Sequence, residues 1–114
     1  MKIKLHKVYF ENFLSSPVNI IQIGAGGTGS ALTCHIARLM SQDNYNINYT
    51  LVDGDRVTSH NINRQNFIKQ DIGLYKSEVL AKRYSNAFGV SISAIPRYLD
   101  EELAKSLELF NKDI

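Results

Sequence analysis

The chain has one cysteine, two prolines and no tryptophan, and it has no long apolar run. Its one cysteine leaves no disulfide partner, and three isolated histidines complete no ligand spacing of the kind that zinc needs, so no metal-ligating residue is assigned. No stretch approaches the roughly 20 apolar residues that cross a bilayer, and no secretion signal is evident. These absences predict a cytoplasmic protein without a membrane partner.

A strong excess of charge is also missing. The 13 Lys and Arg residues exceed the 11 Asp and Glu residues by only two, and the basic residues are dispersed along the chain. Nucleic-acid binding favours a basic patch with interleaved aromatic side chains, so this pattern gives it no support. A composition of 44% hydrophobic and 21% charged residues is typical of a globular piece, and 114 residues suffice for one domain.

What the chain does have is a glycine-rich turn after its first apolar run. The run at 18–23 predicts a short buried strand, and residues 28–40 predict a helix. The glycines between them are Gly24, Gly26, Gly27 and Gly29. Such a turn brings backbone N–H groups and a helix start close to a phosphate, although a glycine turn also occurs as a simple tight connection.

A second apolar run at 47–52 predicts another strand, which ends at Asp53. This residue follows Gly29 by 24 positions, near the roughly 20-residue offset of an acid that binds ribose hydroxyls. The spacing favours a nucleotide but does not separate NAD from ATP. Alternatively, Asp53 ends the strand in an Asp-Gly-Asp turn.

Two cations downstream favour ATP. Arg64 and Lys76 follow the carboxyl end of the second strand, the edge where open parallel sheets bind ligands. The pyrophosphate of a dinucleotide can bind at the helix start alone. A triphosphate carries further negative charge, which suits an arginine and a lysine. An NAD-linked oxidoreductase is the weaker alternative because it leaves both residues without a purpose. Taken singly, each could equally be a solvated surface charge.

Four motifs in this order resemble the ThiF/MoeB-type activating enzymes, to which ubiquitin-activating enzymes also belong. The resemblance runs from about Ile20 to about Ala87. Its motifs are the turn Gly24–Gly29, Asp53 with Asp55, the segment Asn61–Gln65, and the segment Gly73–Lys76. The opening His6–Tyr9 and the Gly-Gly-Thr-Gly-Ser form of the turn further resemble the ThiF-related member of the bacterial PRTRC gene cassette.

The resemblance implies ATP-dependent adenylation of the C-terminal carboxylate of a small ubiquitin-like or sulfur-carrier protein. No enzyme nucleophile is needed, because alignment and cations placed at the developing phosphate charge supply the catalysis. The implied roles are ribose binding for Asp53, ordering of the phosphate region for Asn61 and Gln65, and phosphate neutralisation for the catalytic pair Arg64 and Lys76. Asp55 is expected to support the loop.

Departures from the family pattern limit this interpretation. The sequence ends at Ile114, whereas in relatives a fourth strand follows and ends in an aspartate that binds Mg²⁺. We therefore expect the Mg²⁺ ligand beyond residue 114, and we expect this piece by itself to be inactive. The alternative is a nucleotide- or partner-binding module without turnover. The helix that lends an arginine across the dimer in relatives is missing, which leaves a homodimer possible but its catalytic role doubtful.

The periodicities predict a βαβαβα series, the N-terminal half of a Rossmann-like, three-layer α/β domain with a parallel sheet. We expect an arm at 1–17 and the nucleotide-binding domain at 18–114, with a third strand at 91–95 and further helices at 76–88 and 101–110. Right-handed crossovers predict the strand order 3-2-1. Core stripes are expected at Leu32, Ile36, Leu39, Met40, Leu80, Tyr84, Ala87, Phe88, Leu99, Leu103, Leu107 and Phe110.

Overall fold

The computed structural model describes residues 18–42, 46–62 and 65–107. The arm expected at 1–17, the predicted site residue Arg64 and the core position Phe110 therefore lie outside the described residues. The division of the chain into an arm and a domain stays a prediction.

Three parallel strands form the sheet. They are β1 (Val18–Ile23), β2 (Ile47–Val52) and β3 (Ile92–Ile95), in the spatial order β1-β2-β3. The first two have the predicted bounds, and β3 begins one residue later than expected. In the register, Ile23 pairs with Val52 and Val52 pairs with Ile95, so the carboxyl ends of the strands lie level at one edge. The predicted α/β Rossmann-like fold and strand order are confirmed.

Three helices connect or follow these strands. They are α1 (Gly27–Met40), α2 (Lys76–Phe88) and α3 (Glu101–Ser106). The last turn of α2 ends at Gly89, whose φ of 67° is left-handed. Asp100 caps α3, since its Oδ1 accepts the Leu103 N–H at 2.7 Å. Short 3₁₀ turns occur at Ser59–Asn61 and Lys69–Asp71 in the long β2–α2 connection.

The core lies between the sheet and the two long helices. Alternate residues of β2 are buried there, with apolar residues of α1 and α2: Ile47, Tyr49, Leu51, Ile36, Ala37, Leu80 and Ala81. Both helices pack on this face, as right-handed crossovers require. Val52, Leu103 and Ala104 are buried outside that cluster. Because Val52 alternates with Leu51, its side chain lies on the opposite face of the sheet.

Most expected core positions are buried or half-buried, but two are not. Ala87 is exposed in the last turn of α2, and Leu99 is 41% exposed. Leu99 lies before α3 begins, so it does not share the helical face that buries Leu103. Among the described residues, no helix is long and apolar enough to span a bilayer.

Candidate functional site

The glycine turn between β1 and α1 has the geometry of an anion site. Gly24 has a φ of 106°, which a residue with a side chain rarely adopts. A Cβ on Gly29 would lie 2.5 Å from the Gly24 carbonyl oxygen, so only glycine permits this approach of helix and strand. Gly26, the residue before α1, makes no capping hydrogen bond with a side chain. Within the described ranges, the N–H groups of residues 26–29 have no protein acceptor.

Gln65 lies against this turn. An ideal Cβ on Gly26 would be 3.8 Å from Gln65 Oε1 and 4.0 Å from its Nε2. The Oε1 atom is buried and has no hydrogen-bond partner in the part of the chain that the structure describes, which is rare for a buried polar atom. The amide can rotate by half a turn, so the atom aimed at the turn can be a donor or an acceptor. A buried amide oxygen without a described partner, beside an uncapped helix start, indicates hydrogen-bonding capacity that a polar ligand would use.

Asp53 contacts the same turn from the end of β2. Its Oδ2 accepts the Ala25 N–H at 2.6 Å, and its Oδ1 accepts the Asp55 N–H at 2.7 Å. Each carboxylate oxygen has a second lone pair, so the group can still accept bonds from hydroxyl donors. A carboxylate here suits a ribose rather than a phosphate, because it would repel an anion.

Lys76 forms an ion pair with Asp55, which the sequence does not reveal. Its Nζ lies 3.8 Å from Asp55 Oδ2, and its side chain is 9% exposed while that of Asp55 is 50% exposed. Tyr98 donates its hydroxyl to Asp55 Oδ1 at 2.5 Å, and this hydrogen bond raises the pKa of Tyr98. A lysine in the first turn of a helix suggests an anionic ligand. In the structure, however, Asp55 supplies an anion, so its role is wider than the expected support of the loop.

A cavity of 590 Å³ opens beside this ion pair. Its lining includes three of the predicted site residues, namely Asp55, Asn61 and Lys76. Asn61 is 8% exposed, and its Oδ1 accepts from the N–H and the hydroxyl of Thr58. Asn61 therefore orders the loop at the cavity wall.

The predicted site residues form two groups at the carboxyl edge of the sheet. Gly24, Gly26, Gly27, Gly29, Asp53 and Gln65 make up the turn group, and Asp55, Asn61 and Lys76 make up the cavity group. The bond between the Asp53 carboxylate and the Asp55 N–H joins them. Arg64, which follows Asn61 and precedes Gln65 in the chain, lies outside the described residues, so its place is a prediction.

Tyr98 belongs to the cavity and is missed by the sequence argument. Its ring lies on Gly54, where a Cβ would be 2.7 Å from the ring, and it remains 67% exposed. The residue follows β3 by three positions. The rule that ligands bind at the carboxyl ends of strands would have identified it.

A buried polar network beneath the turn is also missed. Gln22 is fully buried in β1, and the Tyr49 hydroxyl of β2 donates to its Oε1. The Thr33 hydroxyl of α1 donates to the Gly29 carbonyl oxygen at 3.0 Å. A glutamine among the apolar residues of β1 is the sequence signal that indicates such a network, because buried amides need partners.

Ionisation of the Tyr49 phenol is expected to lower the stability of the fold at alkaline pH. Burial raises the pKa of Tyr49 to about 12 from an ordinary value of 10.0, so the neutral phenol stabilises the fold. This contribution is complete below pH 10 and is lost as the pH rises through about 12. We expect Tyr49 to account for about 2 to 3 kcal/mol of the unfolding free energy lost over that range. Urea unfolding at several pH values measures this loss of unfolding free energy. The loss should be smaller in Tyr49→Phe, and an identical loss in both proteins would contradict the assignment.

A family match covers most of the chain. Residues 11–112 match the ThiF family. The chain belongs to the ThiF family. No protein with a curated description matches it. Among the described residues of this ThiF-family chain, no group of three or more His, Cys, Asp or Glu residues could hold a metal ion.

Solved structures of two Escherichia coli proteins are similar. One is TcdA, a tRNA N6-threonylcarbamoyladenosine dehydratase, in complex with AMP. The match has a TM-score of 0.61 and 23% sequence identity, and it covers 90% of this chain and 40% of the TcdA chain. MccB with ATP has a TM-score of 0.58 and 23% identity, covering 86% of this chain and 28% of its own. This likeness establishes the fold. The ThiF-family chain spans less than half the length of either protein.

Proposed function

We propose that this chain carries the ATP-binding half of an enzyme that adenylates the C-terminal carboxylate of a small ubiquitin-like or sulfur-carrier protein. The observation that carries the proposal is the Gln65 Oε1 atom, which is buried beside the uncapped start of α1 and has no hydrogen-bond partner among the described residues. Free N–H groups at a helix start and a buried amide together suit a phosphate.

The cavity group supports a triphosphate rather than a dinucleotide. Lys76 presents an ammonium group at the cavity, beyond the turn that would hold one end of the phosphate chain. Its distance of 3.8 Å from a half-exposed carboxylate is long for a charge-assisted bond, so a phosphate can replace Asp55 as the partner. NAD carries no charge that would need this lysine.

The family relationship and the solved neighbours support the same nucleotide. TcdA was crystallised with AMP or ATP, and MccB was crystallised with ATP and with AMPCPP together with MccA. A nucleotide and a small partner beside it are what adenylation requires. Within the family we propose the PRTRC-associated group, on the His6–Tyr9 opening and the Gly-Gly-Thr-Gly-Ser form of the turn.

In the proposed reaction, a carboxylate oxygen of the carrier attacks the α-phosphorus of ATP and pyrophosphate leaves. The turn N–H groups orient the phosphates, Asp53 accepts from the ribose hydroxyls, and Arg64 and Lys76 stabilise the charge that develops on the departing pyrophosphate. These positions require no covalent intermediate with the enzyme.

The described residues do not by themselves fit a Mg²⁺ site. Among the described residues, Asp53 and Asp55 are the acids that we place at this edge. Asp53 binds backbone N–H groups and is assigned to the ribose, and Asp55 contacts Lys76 and Tyr98. We keep the prediction that an aspartate beyond residue 114 supplies the main Mg²⁺ ligand, and we assign no step to the metal here.

Calorimetry of ATP against AMP with the full-length protein tests nucleotide binding. We expect ATP to bind at least about 100-fold more tightly than AMP, because Arg64 and Lys76 each contact phosphates that AMP lacks. Arg64→Ala should lower that preference by about tenfold or more. The matched control is Arg38→Ala, which changes an exposed arginine at the far end of α1. Equal affinity for both nucleotides, unchanged by Arg64→Ala, would defeat the assignment.

Exchange of labelled pyrophosphate into ATP separates the enzyme from the alternative, a binding module without turnover. We expect exchange that depends on the carrier protein encoded beside the gene, because reversal of adenylation needs that carboxylate. ATP binding without exchange for the complete protein and its own carrier would favour the binding module.

A further inference from the structure

Gln22 is a fully buried amide directly beneath the glycine turn. Its Nε2 donates to the Gly24 carbonyl oxygen at 2.8 Å and to the Gly29 carbonyl oxygen at 2.9 Å. One side chain of β1 thereby connects the first residue of the turn to the first turn of α1. Both acceptors are backbone carbonyl groups, so only a donor at this position satisfies them.

The orientation of this amide is fixed by its partners. Tyr49 is buried and donates its hydroxyl to Gln22 Oε1, so Nε2 is the atom that faces the two carbonyl groups. The same Nε2 also lies 3.4 Å from Thr33 Oγ1, a longer contact than those to the carbonyl oxygens. A rotation of the amide by half a turn would place Oε1 against two carbonyl oxygens. The network therefore allows one arrangement.

The same peptide unit is held from its other side. Gly24 contributes the carbonyl group that Gln22 binds, and Ala25 contributes the N–H that Asp53 Oδ2 binds at 2.6 Å. Gln22 and Asp53 thus hold opposite ends of the Gly24–Ala25 peptide, which follows the left-handed φ of Gly24. A flip of this peptide would break both hydrogen bonds.

We propose that Gln22 is a positioning residue for nucleotide binding, because it prevents the Gly24–Ala25 peptide from turning its carbonyl oxygen toward the phosphate. This inference rests on the proposed function. A carbonyl oxygen at that place would repel an anion, and the N–H groups at the start of α1 would lose their common orientation. Gln22 does not touch the nucleotide in this account, since it acts through the backbone of the turn.

Gln22→Met tests the role, because methionine keeps the length of the side chain and removes the donors. The matched control is Ile20→Val, two positions earlier on the same buried face of β1. We expect Gln22→Met to lower ATP affinity about tenfold, the effect of leaving buried hydrogen-bonding groups unpaired, while Ile20→Val changes it less than about twofold. Calorimetry is done at a temperature where all proteins are folded.

Hydrogen exchange of the Ala25 amide reads the state of the turn without any nucleotide. We expect its exchange to be about tenfold faster in Gln22→Met and unchanged in Ile20→Val. Unchanged exchange at Ala25 would overturn the role of Gln22. Faster exchange with normal ATP affinity would overturn it as well, because the turn shape would then not matter for binding. If the unaltered protein binds no ATP but its exchange responds as expected, the proposed function fails while Gln22 still fixes the turn.

Gln22→Glu is a second variant, which tests the role of Gln22 even if Gln22→Met does not fold. An ionised glutamate would face two carbonyl oxygens, whereas a protonated glutamate can donate to one of them. We expect its ATP affinity relative to the unaltered protein to be low at about pH 8 and to recover at about pH 5.5, below the raised pKa of a buried carboxyl group. A relative affinity that does not change with pH would overturn the inference.

Discussion

Replacement of Lys76 by methionine is expected to weaken ATP binding by about 10- to 100-fold and AMP binding by less than about threefold. The ammonium group faces the cavity where the outer phosphates of ATP are proposed to lie, and AMP lacks those phosphates. Methionine keeps the apolar stem that fills the buried path of the side chain. Asp55 loses its ion-pair partner, but it is half-exposed and remains solvated.

Lys82→Met is the matched control for this prediction. Lys82 is an exposed residue of the same helix, six positions further on, so its replacement removes the same charge without touching the cavity. Titration calorimetry with both nucleotides measures the effect. A parallel loss of ATP and AMP affinity in Lys76→Met would indicate a general disturbance of the site. No loss of ATP affinity would show that Lys76 does not contact the phosphates.

The second large effect is expected from Gly29→Ala, which should lower the free energy of unfolding by about 3 kcal/mol. The new Cβ would lie 2.5 Å from the Gly24 carbonyl oxygen and 3.1 Å from Gln22 Nε2. Because the closest contact is backbone, the helix must shift away from the strand. The Gln22 hydrogen bonds to the turn would then lengthen, so ATP affinity should fall as well.

Gly27→Ala separates this steric effect from the loss of a glycine as such. A Cβ on Gly27 would meet nothing within 4 Å, and the residue is already helical. We expect its stability to be unchanged or about 0.5 to 1 kcal/mol higher, because alanine suits a helix better than glycine. Urea unfolding of both variants measures the difference. Equal stability of the two variants would contradict the close packing of α1 on β1.

The parts of the fold that repeat along the chain are predictable from sequence. Both β1 and β2 are short apolar runs followed by turn residues, and α2 combines a helical apolar stripe with a terminal glycine, so their bounds follow from local patterns. The strand order follows from the handedness of the crossovers. Leu99 was misplaced because a stripe at helical spacing does not indicate where a helix begins.

The site is predictable only as a set of positions along the chain. The sequence identifies the glycines, Asp53 and Gln65, and the structure brings them to one turn because the carboxyl ends of parallel strands meet at one edge. The sequence does not reveal which charged side chains form ion pairs. Asp55 reaches Lys76 through the long β2–α2 connection, and Tyr98 arrives from a third strand, so both contacts depend on tertiary structure.

A crystal structure of the full-length protein with AMPCPP, an ATP analogue that is not cleaved at the α–β bridge, would show directly where the phosphates bind. We expect phosphate oxygens within hydrogen-bond distance of the N–H groups of residues 26–29, with Lys76 Nζ and the Arg64 guanidinium on the β- and γ-phosphates. A nucleotide bound elsewhere, or both cationic groups directed into solvent with no space between them and the glycine turn, would contradict this expectation.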